Sequence, residues 1–177
     1  MISMTLREIA DVVSGTVHDG GDDVVVKAAA FVDTRKALAG GLFVALPGER
    51  ADGHDYVPAA MEGGAAAVLA QRPVGVPAVV VEDGVVALGL LARHLIARRA
   101  ALPGPSMTLV GITGSAGKTT TKDLVAHILG SHGATVATPG NFNNEIGLPL
   151  TVSQIEDRKS TRLNSSHLRT SRMPSSA

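Results

Sequence analysis

The stretch Met107–Leu129, MTLVGITGSAGKTTTKDLVAHIL, decides how this chain is read. Leu109, Val110 and Ile112 form a short apolar run that predicts a buried strand. A glycine-rich turn follows, then Lys118 and three threonines. Leu124, Val125, Ile128 and Leu129 then recur at i, i+1, i+4 and i+5, which predicts an amphipathic helix. A turn of this kind between a strand and a helix is the layout of a phosphate-binding loop.

The chemistry follows from the residue types. Glycines at 111, 114 and 117 let the backbone approach a ligand closely. Successive N–H groups in such a turn form a concave anion site, and the helix behind it adds its positive end. Lys118 is the candidate catalytic residue, a point charge for the β- and γ-phosphates. The Thr119 hydroxyl is a candidate ligand for Mg2+, a hard cation that binds through oxygen and substrate phosphates. Thr120 and Thr121 are expected to cap the first helical turn. The pattern G-x-x-x-x-G-K-[ST] would require glycine at 112, where this chain has Ile112; Gly111 lies one place early.

Composition narrows the rest. The chain has 177 residues, 45% hydrophobic but only 2% aromatic, so its core is built from Val, Leu, Ile and Ala. Sixteen basic and sixteen acidic residues balance, which gives no electrostatic case for nucleic acid or an anionic membrane. With no cysteine, disulfides and thiol nucleophiles are excluded. No signal-peptide pattern opens the chain and no apolar run reaches membrane-spanning length. A cytoplasmic location is the expectation.

Outward from the loop, strands alternate with helices, which predicts an α/β fold with a largely parallel sheet. Thr5 and Glu8 form a capping box for a helix with Leu6, Ile9, Ala10 and Val13 on one face, stopped by Gly15. Val24–Val32 reads as one or two strands and Leu42–Leu46 as another, ending at Pro47-Gly48. Tyr56–Glu62 reads as a helix ended by Gly63-Gly64. Ala66–Ala70 and Ala78–Val81 read as buried strands, and Val85–Arg99 as a helix. Leu102-Pro103-Gly104-Pro105-Ser106 is a linker, so residues 1–104 are expected as a first domain. After the loop helix, Ala134–Thr138 is a strand, followed by the asparagine-rich run Asn141-Phe142-Asn143-Asn144-Glu145. Asparagines suit turns and helix caps, so a purely structural role stays open at this point. His54 in Asp52-Gly53-His54-Asp55 reads as a turn residue ahead of a metal ligand, and His127 and His132 lack ligand spacing. Arg93, Arg98 and Arg99 read as a solvated helix face.

Gly111-Ile112-Thr113-Gly114-Ser115-Ala116-Gly117-Lys118-Thr119-Thr120 matches G-x-T-G-[ST]-x-G-K-[ST]-T, the phosphate loop of the Mur ligases of peptidoglycan synthesis. On this loop, on TPGNFNNEIGLPLT, and on Asp33-Thr34-Arg35 followed by LFVALPGERADGHDYVPAAMEGGAAAVLA, the chain resembles that family over residues 1 to about 156. The resemblance implies an N-terminal UDP-sugar-binding domain followed, over 105–157, by the start of a P-loop central domain. It implies an ATP-dependent amide ligase that works through an acyl phosphate, with UDP-N-acetylmuramoyl-tripeptide and D-alanyl-D-alanine as substrates. The alternatives are the ligase that adds the third stem-peptide residue and a P-loop NTPase of another class. It also implies site roles. Gly114, Ser115, Ala116, Gly117, Lys118, Thr119 and Thr120 would hold ATP, with Asn143 and Asn144 near the nucleotide. Thr119 and Glu145 would lie at the metal, and Thr34 and Arg35 in the UDP-sugar pocket with the loop after Leu46. A monomer is expected.

From Arg158 the chain reads RKSTRLNSSHLRTSRMPSSA, with five of the sixteen basic residues, six serines and no acidic residue. This tail has no helix or strand period and is expected as a disordered or artefactual extension. With it, the central sheet is expected to keep open edges and an uncovered apolar face, and the chain as written is expected not to catalyse ligation.

Overall fold

The computed structural model describes residues 1–48, 51–103, 107–140, 142, 144–155 and 162–165. The capping box is formed as the sequence predicts. Thr5 Oγ1 accepts from Glu8 N–H at 3.2 Å, and Glu8 Oε2 accepts from Thr5 N–H at 2.8 Å. It opens α1 (Leu6–Val13), which buries Leu6, Ile9, Ala10 and Val13. The helix ends one residue before the expected Gly15: Ser14 takes the left-handed cap at φ 55°.

Two short strands precede and follow α1. β1 (Met4–Thr5) pairs antiparallel with β3 (Val25–Val26), and β2 (Thr16–His18) follows the helix. Both β1 and β2 lie outside the sequence reading, because two- and three-residue strands carry no measurable period. The Val24–Val32 run resolves into β3 and β4 (Ala30–Phe31). β5 (Leu42–Val44), α2 (Val57–Glu62), β6 (Ala67–Ala70) and β7 (Ala78–Val80) then follow as expected. The main sheet has five strands in the order β2-β7-β6-β5-β4. Its β4 to β7 members are parallel and β2 is antiparallel to β7.

This sheet is buried on both faces, as parallel sheets are. Leu42 and Val44, Ala67 and Leu69, and Val79 belong to one core. The alternate residues Phe43, Ala45, Val68, Ala70 and Ala78 belong to the other, where α2 contributes Val57 and Ala60. The first core is covered by α1 and by α3 (Gly84–Ala101), whose Leu88, Leu91 and Leu95 are almost fully buried. Each such leucine stabilises the fold by about 1.5–3 kcal/mol through loss of apolar surface from water. Asp83 caps α3 by accepting from Val85 and Val86 N–H at 2.8 and 3.0 Å. Arg93 lies on the solvated face as expected, and Arg98 reaches Glu8 at 3.6 Å. Arg99 departs from it: in the last turn of α3 it is 2% exposed, in helical register with buried Leu88, Ala92 and Leu95, so its position on the inner face overrides its charge.

The second unit holds β8 (Thr108–Gly111), α4 (Lys118–Gly130), β9 (Thr135–Ala137) and α5 (Gly147–Val152). Residues 162–165 correct the expectation of a tail without strand: β10 (Arg162–Ser165) lies between β8 and β9, parallel to both. Its pairing is made by backbone N–H and C=O groups, which need no side-chain alternation. The rest of the tail from Arg158 lies outside the described residues. The strand Leu109 and the helix residues Leu124 and Ile128 were expected to be core-facing, yet they are 38%, 60% and 58% exposed. Among the described residues these apolar side chains stay exposed on β8 and on the outer face of α4.

The two units share a core. α5 was not anticipated, since Gly147 and Pro149 are weak helix formers. Yet Val152 and Ile155 are buried in the same cluster as α1 and α3. Ser153 Oγ accepts from the Ala30 N–H of β4 at 2.9 Å and donates to Leu150 C=O at 2.7 Å. Ser153→Ala leaves the buried Ala30 N–H without this acceptor and should lower stability by about 1–3 kcal/mol, read as a lower urea midpoint. An unchanged midpoint would mean that α5 is not seated on β4.

Candidate functional site

The phosphate loop leaves the C-terminal end of β8 and enters α4. Gly117 is the N-cap of α4 with φ 76°, and Gly114 has φ 153°. Both angles lie where side-chain-bearing residues are strained, and nothing stands within 4 Å of a Cβ built on Gly117. Backbone conformation, not space, selects glycine there. No side chain caps α4, so Thr120 and Thr121 do not have the capping role expected of them. Thr121 N–H instead bonds to Gly117 C=O at 2.9 Å inside the helix. The first turn of α4 thus presents its positive end without a side-chain acceptor. Lys118 folds back over the loop, donating through Nζ to Gly114 C=O at 2.5 Å. Ser115, Ala116, Thr119 and Thr120 are exposed around it.

The loop after β9 lies against the same helix. Lys122 is 4% exposed and was not singled out in the sequence. Its Nζ donates to Thr138 C=O at 2.5 Å and Gly140 C=O at 2.9 Å, and lies 3.0 Å from Asp123 Oδ1. The sequence signal available was the position of a lysine four residues after Lys118, on the same helix face. Asn144 has a capping role, its Oδ1 accepting from Gly147 N–H at 2.7 Å. Glu145 is exposed beside it. Asn141 and Asn143 lie outside the described residues. Among the described residues no group of three or more His, Cys, Asp or Glu side chains is arranged to hold a metal ion.

The third feature is the Asp33-Thr34-Arg35 turn, immediately after β4. Asp33 caps a short 3-10 turn over Thr34–Lys36, accepting from Arg35 N–H at 3.1 Å. Its two oxygens also take Arg35 Nε and Nη2 at 2.9 and 2.8 Å. This fork holds the Asp33 carboxyl at about 2, well below its ordinary 3.8, chiefly through the Arg35 side chain. Thr34 and Arg35 line a cavity of about 330 Å³ with Tyr56. On the other side, Asp33 and Lys36 line a second cavity of about 230 Å³, closed by Pro139, Phe142, Gly147, Leu150 and Thr151 from the second unit. Tyr56 and Lys36 are site candidates that the sequence reading missed, because adjacency across the fold has no local signature.

The loop after Leu46 is pinned at its base. Asp52 accepts from His54 N–H at 3.0 Å, and His54 Nδ1 meets Asp52 Oδ1 at 2.5 Å. Gln71 N–H donates to His54 Nε2 at 3.0 Å, so Nδ1 carries the proton and donates to Asp52. Arg72 lies 2.9 Å from Asp52 Oδ2. The backbone N–H and the ring of His54 hold the Asp52 carboxyl well below the usual range. A Cβ on Gly53 would stand 2.5 Å from Leu46 O, so the close approach requires glycine. His54 has the turn role expected for it.

Asp33 gives a test of the turn. Its folded pKa is depressed, so the stabilisation by the Arg35 fork is present above the unfolded value of 3.8 and is lost as pH falls through about 2. A carboxyl NMR titration of Asp33 should have its midpoint near 2; a midpoint near 4 would show that the fork is open in solution.

Comparison with known proteins follows the same two features. The Mur ligase middle domain profile matches residues 112–163, and that of the Mur ligase family catalytic domain matches residues 31–96. The first match runs past residue 157, where the family pattern was expected to stop. The chain is 45% identical over 174 residues to the UDP-N-acetylmuramoyl-tripeptide--D-alanyl-D-alanine ligase of Mycobacterium tuberculosis, covering 86% of this chain and 34% of that relative. It is 41% identical over 157 residues to the ligase of the same name from Escherichia coli, covering 88% and 33%. It superposes on MurF from Acinetobacter baumannii with a TM-score of 0.77 at 28% identity, over 93% of this chain and 36% of that one. For MurF ligase from Thermotoga maritima in complex with ADP the TM-score is 0.62 at 33% identity, over 79% and 32%. The chain spans about a third of the length of the curated relatives it matches.

Proposed function

The chain belongs to the Mur ligase family, and on that premise we propose that it carries the UDP-substrate end and the ATP-phosphate end of a ligase joining D-alanyl-D-alanine to UDP-N-acetylmuramoyl-tripeptide. In this reading residues 1–104 bind the UDP-sugar and residues 105–157 begin the nucleotide-binding unit. The protein acts in the cytoplasm as a monomer. The observation that carries the reading is the presence, in one molecule, of a phosphate loop opening α4 and of the Asp33-Thr34-Arg35 turn after β4, with Asp33 lining a cleft shared with the chain beyond β9 and α5. The ligases named above supply the substrate identities.

The donor set fits a triphosphate with magnesium. Gly114 to Thr120 offer backbone N–H groups and the open first turn of α4, Lys118 offers a mobile cation, and Thr119 an exposed hydroxyl. ATP, when bound, supplies the phosphoryl group that turns a poorly electrophilic carboxylate into an acyl phosphate open to the incoming amine. Lys118, which donates to Gly114 C=O here, would hold the terminal phosphates and offset charge there. Thr119 would hold the magnesium, with Glu145 as its second protein neighbour. Asn143 and Asn144 would serve the nucleotide. Thr34 and Arg35 would orient the UDP-sugar, Arg35 through a side chain that is 88% exposed beside its Asp33 fork.

The test is binding mapped residue by residue on the 177-residue chain. MgADP should shift the amides of Gly114–Thr120, and UDP-N-acetylmuramoyl-tripeptide those of Asp33–Lys36 and Tyr56. Lys118→Met should weaken MgADP at least about tenfold by removing a charge-assisted contact. Absence of shifts at either cluster would contradict the assignment of that end. Preference for the precursor one residue shorter would move the chain to the ligase that adds the third residue.

A further inference from the structure

Lys122 is a buried ammonium whose partners are chosen by position. Taking a charge out of water is strongly unfavourable unless hydrogen bonds replace the lost hydration. An ammonium has three donors, and Thr138 C=O, Gly140 C=O and Asp123 Oδ1 stand at 2.5, 2.9 and 3.0 Å. An apolar side chain would fill the same volume between α4 and β9 without that desolvation. What the cation adds is a grip on two carbonyls of the chain leaving β9.

Those carbonyls lie where the grip matters. β8 and β9 run parallel, each paired in parallel with β10. The phosphate loop and the 138–147 segment therefore leave the same edge of the sheet, where open α/β sheets bind ligands. Lys118 and Lys122 are four residues apart on α4, one turn and about 6 Å along the axis. Lys118 bonds to the phosphate loop and Lys122 to the segment after β9, so one helix face holds both loops. From Gly140 the chain reaches Asn144, whose Oδ1 caps the turn into α5. α5 in turn is fixed to β4 through Ser153.

We propose that Lys122 is a positioning residue of the nucleotide site, holding Thr138 and Gly140, where the chain leaves β9 toward Asn144, in register with the phosphate loop before nucleotide binds. The inference rests on the reading of Gly114–Thr120 as a nucleotide site. Lys122 itself does not touch the phosphates; it fixes where the segment carrying Asn144 and Glu145 stands.

The experiment uses the full 177-residue chain, with Lys122→Met and Lys122→Arg beside the wild type. Amide hydrogen exchange is followed without ligand, and MgADP affinity by titration. In Lys122→Met, exchange at Gly140, Phe142 and Asn144–Gly147 should rise at least about tenfold while β5 to β7 keep their protection, as expected for local opening. MgADP affinity should fall at least about tenfold, and Lys122→Arg, which keeps a cation, should recover to within about threefold. If Lys122→Met loses protection in β5 to β7 and so does not fold, Lys122→Gln replaces it. That variant must weaken MgADP at least about threefold, since its amide keeps fewer donors. A wild type that binds MgADP with Lys122→Met or its Gln substitute unchanged overturns the positioning role alone. A wild type that does not bind MgADP overturns the nucleotide-site reading beneath it.

Discussion

The hydrogen bond from Ala30 N–H to Ser153 Oγ is the constraint on which the arrangement of the site depends. Ala30 lies in β4, three residues before Asp33, so this bond anchors the start of the Asp33-Thr34-Arg35 turn. Ser153 closes α5, whose Val152 and Ile155 are buried in the core built by α1 and α3. The second unit is thus seated in the interior of the first. A buried backbone N–H demands an acceptor, and here the acceptor comes from a residue 123 positions away in the chain. The cleft between the units follows from that seat: its walls are the β4 exit on one side and Pro139, Phe142 and α5 on the other.

From the seat the geometry propagates to the phosphate loop. Asn144 Oδ1 accepts from the Gly147 N–H at the start of α5, the chain before Asn144 is gripped by Lys122, and Lys122 belongs to the helix that Gly117 and Lys118 open. The first two links are polar contacts with a buried or half-buried partner, and the third is the continuity of α4. The Asp33-Thr34-Arg35 turn and the phosphate loop are therefore linked by a path through α4, the β9 exit and α5. By contrast, the outer face of α4 carries exposed Leu124 and Ile128, so stability of this unit is concentrated on the side that faces the first.

What the sequence made legible was what local physics specifies. Thr5 and Glu8 announce a capping box because both partners sit within one turn. β5 and β6 announce themselves as apolar runs, and the Gly114-to-Thr120 loop because its φ angles and charge need those residue types. The asparagine run was ambiguous, and Asn144 in the structure does what short polar side chains do at helix starts. The illegible parts were set by tertiary contact. Arg99 reads as solvent-facing from its charge, although it falls in helical register with Leu88, Ala92 and Leu95, and the fold buries it with them. Lys122 reads as one more polar residue on α4, and only the return of the chain after β9 supplies its carbonyls. α5 runs against its own propensities and is held by burial. β10 shows no side-chain pattern because backbone pairing alone places it.

The account stands or falls on whether the two units form one body through the α5 seat. Native-state hydrogen exchange of the Ala30 amide reads this directly, since a seated α5 makes that proton as hard to open as the interior strands. The predicted result is protection equal to that of the Val44 and Leu69 amides in β5 and β6. Exchange of the Ala30 amide at the rate of an exposed loop, with Val44 and Leu69 still protected, would contradict it.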